Sequence, residues 1–210
     1  MTKSARAREI CQMAPVIPVI VIEDAADAAP MAEALIAGGL PVLEVTLRTA
    51  AALDAIKAMA QVPGGVVGTG TALAPRDIAA SKAAGGQFIV SPGSTDTLLA
   101  AADDQDISIL PGTVTASEVM SCLEKGYDML KFFPANTSGG APALKNFSSP
   151  LPQATFCPTG GISPANAADY LSLPNVVCVG GSWVVAPDLV KAKNWARIEE
   201  LAREASALTG

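Results

Sequence analysis

Met129-Leu-Lys-Phe-Phe-Pro-Ala135 reads as a short apolar strand, bounded upstream by Gly126 and Asp128 and downstream by Asn136-Thr-Ser-Gly-Gly140. One lysine, Lys131, stands in its middle. If the strand lies in a parallel sheet both of its faces are covered, so the ammonium loses water whichever way it points, and that loss favours the neutral amine. A neutral amine attacks carbonyls near neutral pH. The competing reading is a lysine whose head snorkels past the sheet edge or pairs with a buried carboxylate. The strand alone leaves both open.

Similar apolar runs occur at 16–22, 41–47, 65–71, 88–93, 107–113, 155–161 and 176–182, so that eight runs begin every 19 to 26 residues. That spacing leaves room for one helix and two short loops each time. Helix signals fill the gaps. Ala25 to Ala37 closes on Gly38-Gly39, Ala50 to Met59 is rich in alanine, and Pro75 suits a first turn that Gly85-Gly86 later ends. Thr115-Ala-Ser-Glu118 has the spacing of a capping box, Ser163-Pro164 reads as a cap with a first-turn proline, and Trp195 to Leu208 carries apolar residues at helical spacing. Eight strand–helix units with continuously apolar strands predict a parallel α/β (β/α)₈ TIM barrel with an additional N-terminal helix, the whole of 1–210 forming one domain. An open doubly wound sheet is the alternative, but no G-x-G-x-x-G follows the first strand.

Composition narrows the chemistry. The chain has no histidine, which removes the commonest general base and the commonest metal ligand, so reactivity must come from Lys, Glu, Asp, Arg, hydroxyls and backbone. Cys11, Cys122, Cys157 and Cys178 show no C-x-x-C spacing and read as buried free thiols rather than a disulfide or zinc site. A net charge of −6 without a basic cluster argues against nucleic acid and anionic membranes. No run is long enough to span a bilayer, and the charged start Met1 to Glu9 lacks a signal-peptide core, so a cytoplasmic protein is expected.

In a barrel the site lies at the carboxyl ends of the strands. Lys131 is the only lysine and Glu44 the only carboxylate inside a predicted strand, and Arg48 is the only arginine at a strand end. Glu44, Thr46 and Arg48 alternate, so they share a face if the strand runs that far. A lone buried carboxylate is costly, which makes Lys131 the natural partner of Glu44, either as a structural ion pair or as an amine beside a proton-shuttling acid. Arg48 reads either as an ordinary surface arginine at a helix start or, at the mouth, as a fork for a carboxylate that the Thr71 hydroxyl could assist; Thr71 and Pro92 in Ser91-Pro-Gly93 read either as pocket wall or as turn chemistry. The last two strands end in Thr159-Gly160-Gly161 and Gly180-Gly181-Ser182. Paired glycines admit close backbone approach, and barrels often bind phosphate there. The ligand so described has a carboxylate near Arg48, a carbonyl within reach of Lys131 and a phosphate at the glycines. Phe133, two residues beyond Lys131, would wall the carbonyl in.

These segments together resemble the 2-keto-3-deoxy-6-phosphogluconate (KDPG) and 4-hydroxy-2-oxoglutarate (KHG) aldolases. The resemblance rests on Leu43-Glu-Val-Thr-Leu-Arg-Thr49, Val67-Gly-Thr-Gly-Thr71, Ser91-Pro-Gly93, Lys131-Phe-Phe-Pro-Ala135, Phe156-Cys-Pro-Thr-Gly-Gly-Ile-Ser-Pro-Ala-Asn166 and Val179-Gly-Gly-Ser-Trp183, in family order along nearly the whole chain. It implies a class I aldolase of the Entner-Doudoroff pathway needing no metal or other cofactor, assembled as a homotrimer. By it Lys131 is the Schiff-base lysine, Glu44 the general acid/base, Arg48 with Thr71 the carboxylate site, and the two glycine segments the phosphate site. Asn136 departs from the glutamate that family members often carry there. Two readings from other classes stay open on the residues alone: a barrel isomerase using Glu44 as base without a covalent step, and a non-catalytic phosphate-binding barrel.

Overall fold

Residues 3–209 are described in the computed structural model; Met1 and Thr2, which begin the charged N-terminal segment, and Gly210 lie outside them. Strand segments are β1 Val16–Ile20, β2 Val42–Thr46, β3 Val66–Gly70, β4 Phe88–Val90, β5 Ser108–Leu110, β6 Gly112–Thr113, β7 Met129–Phe132, β8 Thr155–Pro158 and β9 Val179–Gly181. Helices are α1 Ala5–Cys11, α2 Ala28–Ala37, α3 Ala52–Met59, α4 Pro75–Ala83, α5 Asp96–Asp104, α6 Ala116–Glu124, α7 Gly140–Phe147, α8 Ala167–Leu171, α9 Pro187–Lys191 and α10 Trp195–Ser206. Every recorded strand pairing is parallel, in a curled six-stranded sheet ordered β5-β4-β3-β2-β1-β9 and a three-stranded sheet β6-β7-β8. The fifth expected strand is split: Pro111 has no N–H to donate, and β5 pairs with β4 while β6 pairs with β7. The chain thus passes from one sheet to the other within a few residues.

Side-chain alternation sorts each strand onto two faces, and both are buried. Val16, Ile20, Leu43, Val45, Ile89, Ile109, Leu130, Phe132, Phe156 and Val179 belong to the large core packed with the helices. Their neighbours Ile17, Val42, Phe88, Val90, Leu110, Met129, Cys157 and Cys178 form a second, smaller core on the other face. Ala7, Ile10 and Cys11 of α1 join that smaller core. Arg8 fastens α1 there, pairing with Asp128 at 3.0 Å and donating to the Thr155 hydroxyl at 2.6 Å. All four cysteines are free and buried, and hydrogen bonding to Cys11 and Cys157, with burial, pushes the Cys178 thiol well above its ordinary range.

The capping box at Thr115 is present, with the Thr115 hydroxyl accepting from the Glu118 amide and the Glu118 carboxylate accepting from Thr115 N–H. Two local expectations are corrected. The helix expected from Ala25 opens with a separate 3₁₀ turn, Ala25–Asp27, because the Asp24 carboxylate caps Ala26 before α2 starts. Ser163-Pro164 does not open a helix. The Ser163 amide donates to the Asn166 side chain at 2.8 Å and the Ala167 N–H to the Ser163 carbonyl at 2.9 Å, so a turn precedes α8, which begins at Ala167.

Candidate active site

Glu44 shares the parity of Val42, and Lys131 that of Met129, so both project with the smaller core rather than toward the helices. They are brought together: Lys131 Nζ donates to Glu44 Oε1 at 3.4 Å, with the residues 5% and 3% exposed. The strands make room for this. Lys131 is flanked in register by Gly112 and Cys157, both small. A methyl group on Gly70 would lie 2.4 Å from Glu44 Oε1, so β3 carries glycine where the carboxylate needs the space. An ammonium has three hydrogens to donate, and among the described residues Lys131 uses one. Its remaining neighbour of note is the Phe133 ring, whose centre lies 5.1 Å from Nζ. Gly70→Ala is expected to push Glu44 out of line with Lys131 and to lower kcat on the order of 10²-fold, since about 1 Å of misplacement costs that much; steady-state kinetics on the folded variant check it.

Phe133 links the ion pair to a pocket of about 280 Å³. Its walls include Val19, Arg48, Phe133, Thr159 to Ile162 and Gly180 to Ser182. Arg48, Phe133 and all six residues of the two strand-end segments therefore face one space, and the lining contains no carboxylate. Among the described residues Arg48 has no ion-pair partner. The result is a locally cationic pocket in an acidic chain. Gly160 and Gly161 have φ of 97° and 73°, and Gly180 leaves the Thr159 hydroxyl space that a Cβ would invade at 2.3 Å.

Three expected features are placed differently. Strand β2 ends at Thr46, whose hydroxyl donates to the Ile20 carbonyl, so Arg48 reaches the pocket from the following turn rather than from the strand. Thr71 lies just past β3 in the left-handed region at φ 63°, a strained setting for a β-branched residue, but among the described residues no hydrogen bond joins it to Arg48 and it does not line the pocket. Pro92 does not line the pocket either. It packs on Gly112, whose Cβ would fall 2.3 Å from the Pro92 carbonyl, and so backs the strand position beside Lys131. The sequence reading missed Val19, Val21, Ile162, Val185 and Pro187 in the wall; apolar residues in strands, loops and short helical turns give no signal of their own.

Residues 7–201 match the family model for KDPG and KHG aldolase. The chain belongs to that family. Relatives include 2-dehydro-3-deoxy-phosphogluconate aldolase of Pseudoalteromonas atlantica, 50% identical with 99% of this chain and 98% of the relative covered. The Zymomonas mobilis KDPG aldolase, solved with 3-phosphoglycerate, is 53% identical with a TM-score of 0.89 over 95% and 94% of the two chains. The Legionella pneumophila KDPG aldolase, in which pyruvate was captured at low pH as a covalent carbinolamine intermediate, is 47% identical with a TM-score of 0.93 over 95% and 98%. Among the described residues of this chain the one lysine inside a strand is Lys131.

Proposed function

We propose that the protein is a class I, Schiff-base aldolase that cleaves 2-keto-3-deoxy-6-phosphogluconate reversibly to pyruvate and glyceraldehyde 3-phosphate, a carbon–carbon lyase that also accepts 4-hydroxy-2-oxoglutarate. What supports this above all is the buried 3.4 Å Lys131–Glu44 pair beside a pocket whose only charged wall residue is Arg48. Neutral Lys131 attacks the keto carbon, and loss of water gives a protonated imine. Glu44 takes the proton of the C4 hydroxyl. The C3–C4 bond breaks, its electron pair passes into the imine to form an enamine, and the aldehyde leaves. Proton return to C3 and hydrolysis of the imine release pyruvate and restore the amine. Arg48 holds the substrate carboxylate, Phe133 covers the imine, and Thr159, Gly160, Gly161, Gly180, Gly181 and Ser182 receive the phosphate through amide and hydroxyl donors. Pro92 backs Gly112 beside Lys131, and Thr71 closes β3 without touching the pocket itself.

The same reading takes the two sheets as one closed (β/α)₈ barrel forming a single domain over 1–210, with α1 added at the end opposite the site. Isolated bridges Phe156–Val176 and Thr159–Gly180 support closure, since they carry β8 to the strand beside β1. A homotrimer, expected from the resemblance, and a cytoplasmic location, expected from the sequence, are part of the proposal; no helix among the described residues is long and apolar enough to cross a membrane.

The test is substrate comparison. kcat/KM for the 6-phosphorylated keto acid is expected to exceed that for 2-keto-3-deoxygluconate by roughly 10²-fold or more, through charge-assisted bonds to the phosphate. Equal values would remove the phosphate assignment. Absence of cleavage with both would favour the non-covalent isomerase or the binding-only barrel.

A further inference from the structure

The segment Thr159 to Asn166 is held by a side chain that lies outside the pocket wall. Asn166 Nδ2 donates to the Gly161 carbonyl at 3.0 Å, and its Oδ1 accepts from the Ser163 amide at 2.8 Å. The two contacts fix the orientation of the side-chain amide, because only this one gives each partner its complement. A peptide unit is planar and trans, so drawing the Gly161 carbonyl toward Asn166 turns the Ile162 N–H the opposite way. Gly161 and Ile162 both line the pocket, and among the described residues neither amide donates a hydrogen bond. On its other side the loop rests on Asn136, whose N–H donates to the Gly160 carbonyl at 3.0 Å and whose Cβ fills the space beside Gly161.

We infer that Asn166 is a positioning residue for anion recognition: by anchoring the Gly161 carbonyl it holds the Ile162 amide ready to donate to the substrate phosphate, beside the Gly161 amide, whose peptide unit Asn136 holds through the Gly160 carbonyl. The inference rests on the reading of this pocket as the phosphate site. It differs from a purely structural role in which bond matters. A turn needs only the Ser163 contact, which any acceptor at position 166 supplies. Holding the carbonyl needs the donor, which aspartate lacks. In Asn166→Asp one oxygen still accepts from Ser163 while the other opposes the Gly161 oxygen and adds a negative charge near the phosphate.

The experiment compares the wild type, N166D and N166A, each first checked for an unchanged circular dichroism spectrum and thermal transition. Steady-state constants are measured for the phosphorylated keto acid and for 2-keto-3-deoxygluconate, together with inhibition by inorganic phosphate. KM for the phosphorylated substrate and the inhibition constant for phosphate are expected to rise about ten- to hundredfold in both variants, at least as much in N166D as in N166A, as loss of hydrogen bonds to a charged group would produce. kcat/KM for the unphosphorylated substrate should fall at least tenfold less. N166D matching the wild type while N166A is impaired would overturn the inference and leave Asn166 as a turn cap. Equal losses on both substrates would overturn it as well. A wild type that neither prefers the phosphorylated substrate nor is inhibited by phosphate would instead overturn the underlying pocket assignment. If N166A does not fold, N166D alone carries the comparison, because it retains the turn contact.

Discussion

Lys131→Ala is expected to lower the rate of carbon–carbon cleavage by roughly 10⁴-fold or more and to remove all imine formation with pyruvate. Among the described residues no other lysine stands in a strand and none lines the pocket, so no second amine is placed there to substitute for it. The same change strands Glu44, 3% exposed, without its partner, and an uncompensated buried carboxylate costs on the order of 3 kcal/mol. Loss of activity and loss of stability must therefore be separated. Lys131→Met combined with Glu44→Gln removes both charges at nearly constant volume, and is expected to recover most of the thermal stability while remaining inactive. Recovery of turnover in that double variant would contradict the assignment of Lys131.

Glu44→Gln is expected to reduce kcat by roughly 10² to 10⁴-fold, the range for loss of a positioned proton-transfer group, while pyruvate still forms an imine. Glutamine keeps an oxygen able to accept from Lys131 Nζ, so the amine stays in place; what is lost is the acceptor for the C4 hydroxyl proton. The separation of the two steps is the diagnostic. Rapid-quench trapping of the imine beside steady-state cleavage distinguishes them. Should cleavage proceed at the wild-type rate, Glu44 is a structural counter-ion and another group moves the proton.

Much of this architecture was legible because charge inside an apolar run is conspicuous. Lys131 and Glu44 each interrupt strands that are otherwise buried on both faces, and the parity of Met129 and Val42 places them on one side of the sheet. The two glycine segments were legible for a related reason, since they fall at the ends of successive strands and meet in one pocket. What escaped notice depends on contacts between distant parts of the chain. Gly70 is dictated by the Glu44 carboxylate 26 residues earlier, and nothing in Val66-Val-Gly-Thr-Gly70 announces that neighbour. Ser163-Pro164 resembles a helix start, yet a turn held by the Asn166 side chain on the Ser163 amide comes first and α8 begins only at Ala167. Pro111 splits the fifth strand for a reason visible in its own chemistry, the missing N–H, but which sheet each half joins is a tertiary outcome. Arg48 reaches the pocket from a turn, so strand alternation alone could not assign its direction.

The central claim, that Lys131 is the nucleophilic amine, is tested most directly by incubating the protein with pyruvate and borohydride and mapping the modified peptide by mass spectrometry. The account predicts one reduced pyruvyl group per chain, on Lys131, and none in the Lys131→Ala variant. An adduct on a different lysine, or none while the phosphorylated keto acid is still cleaved, would contradict it.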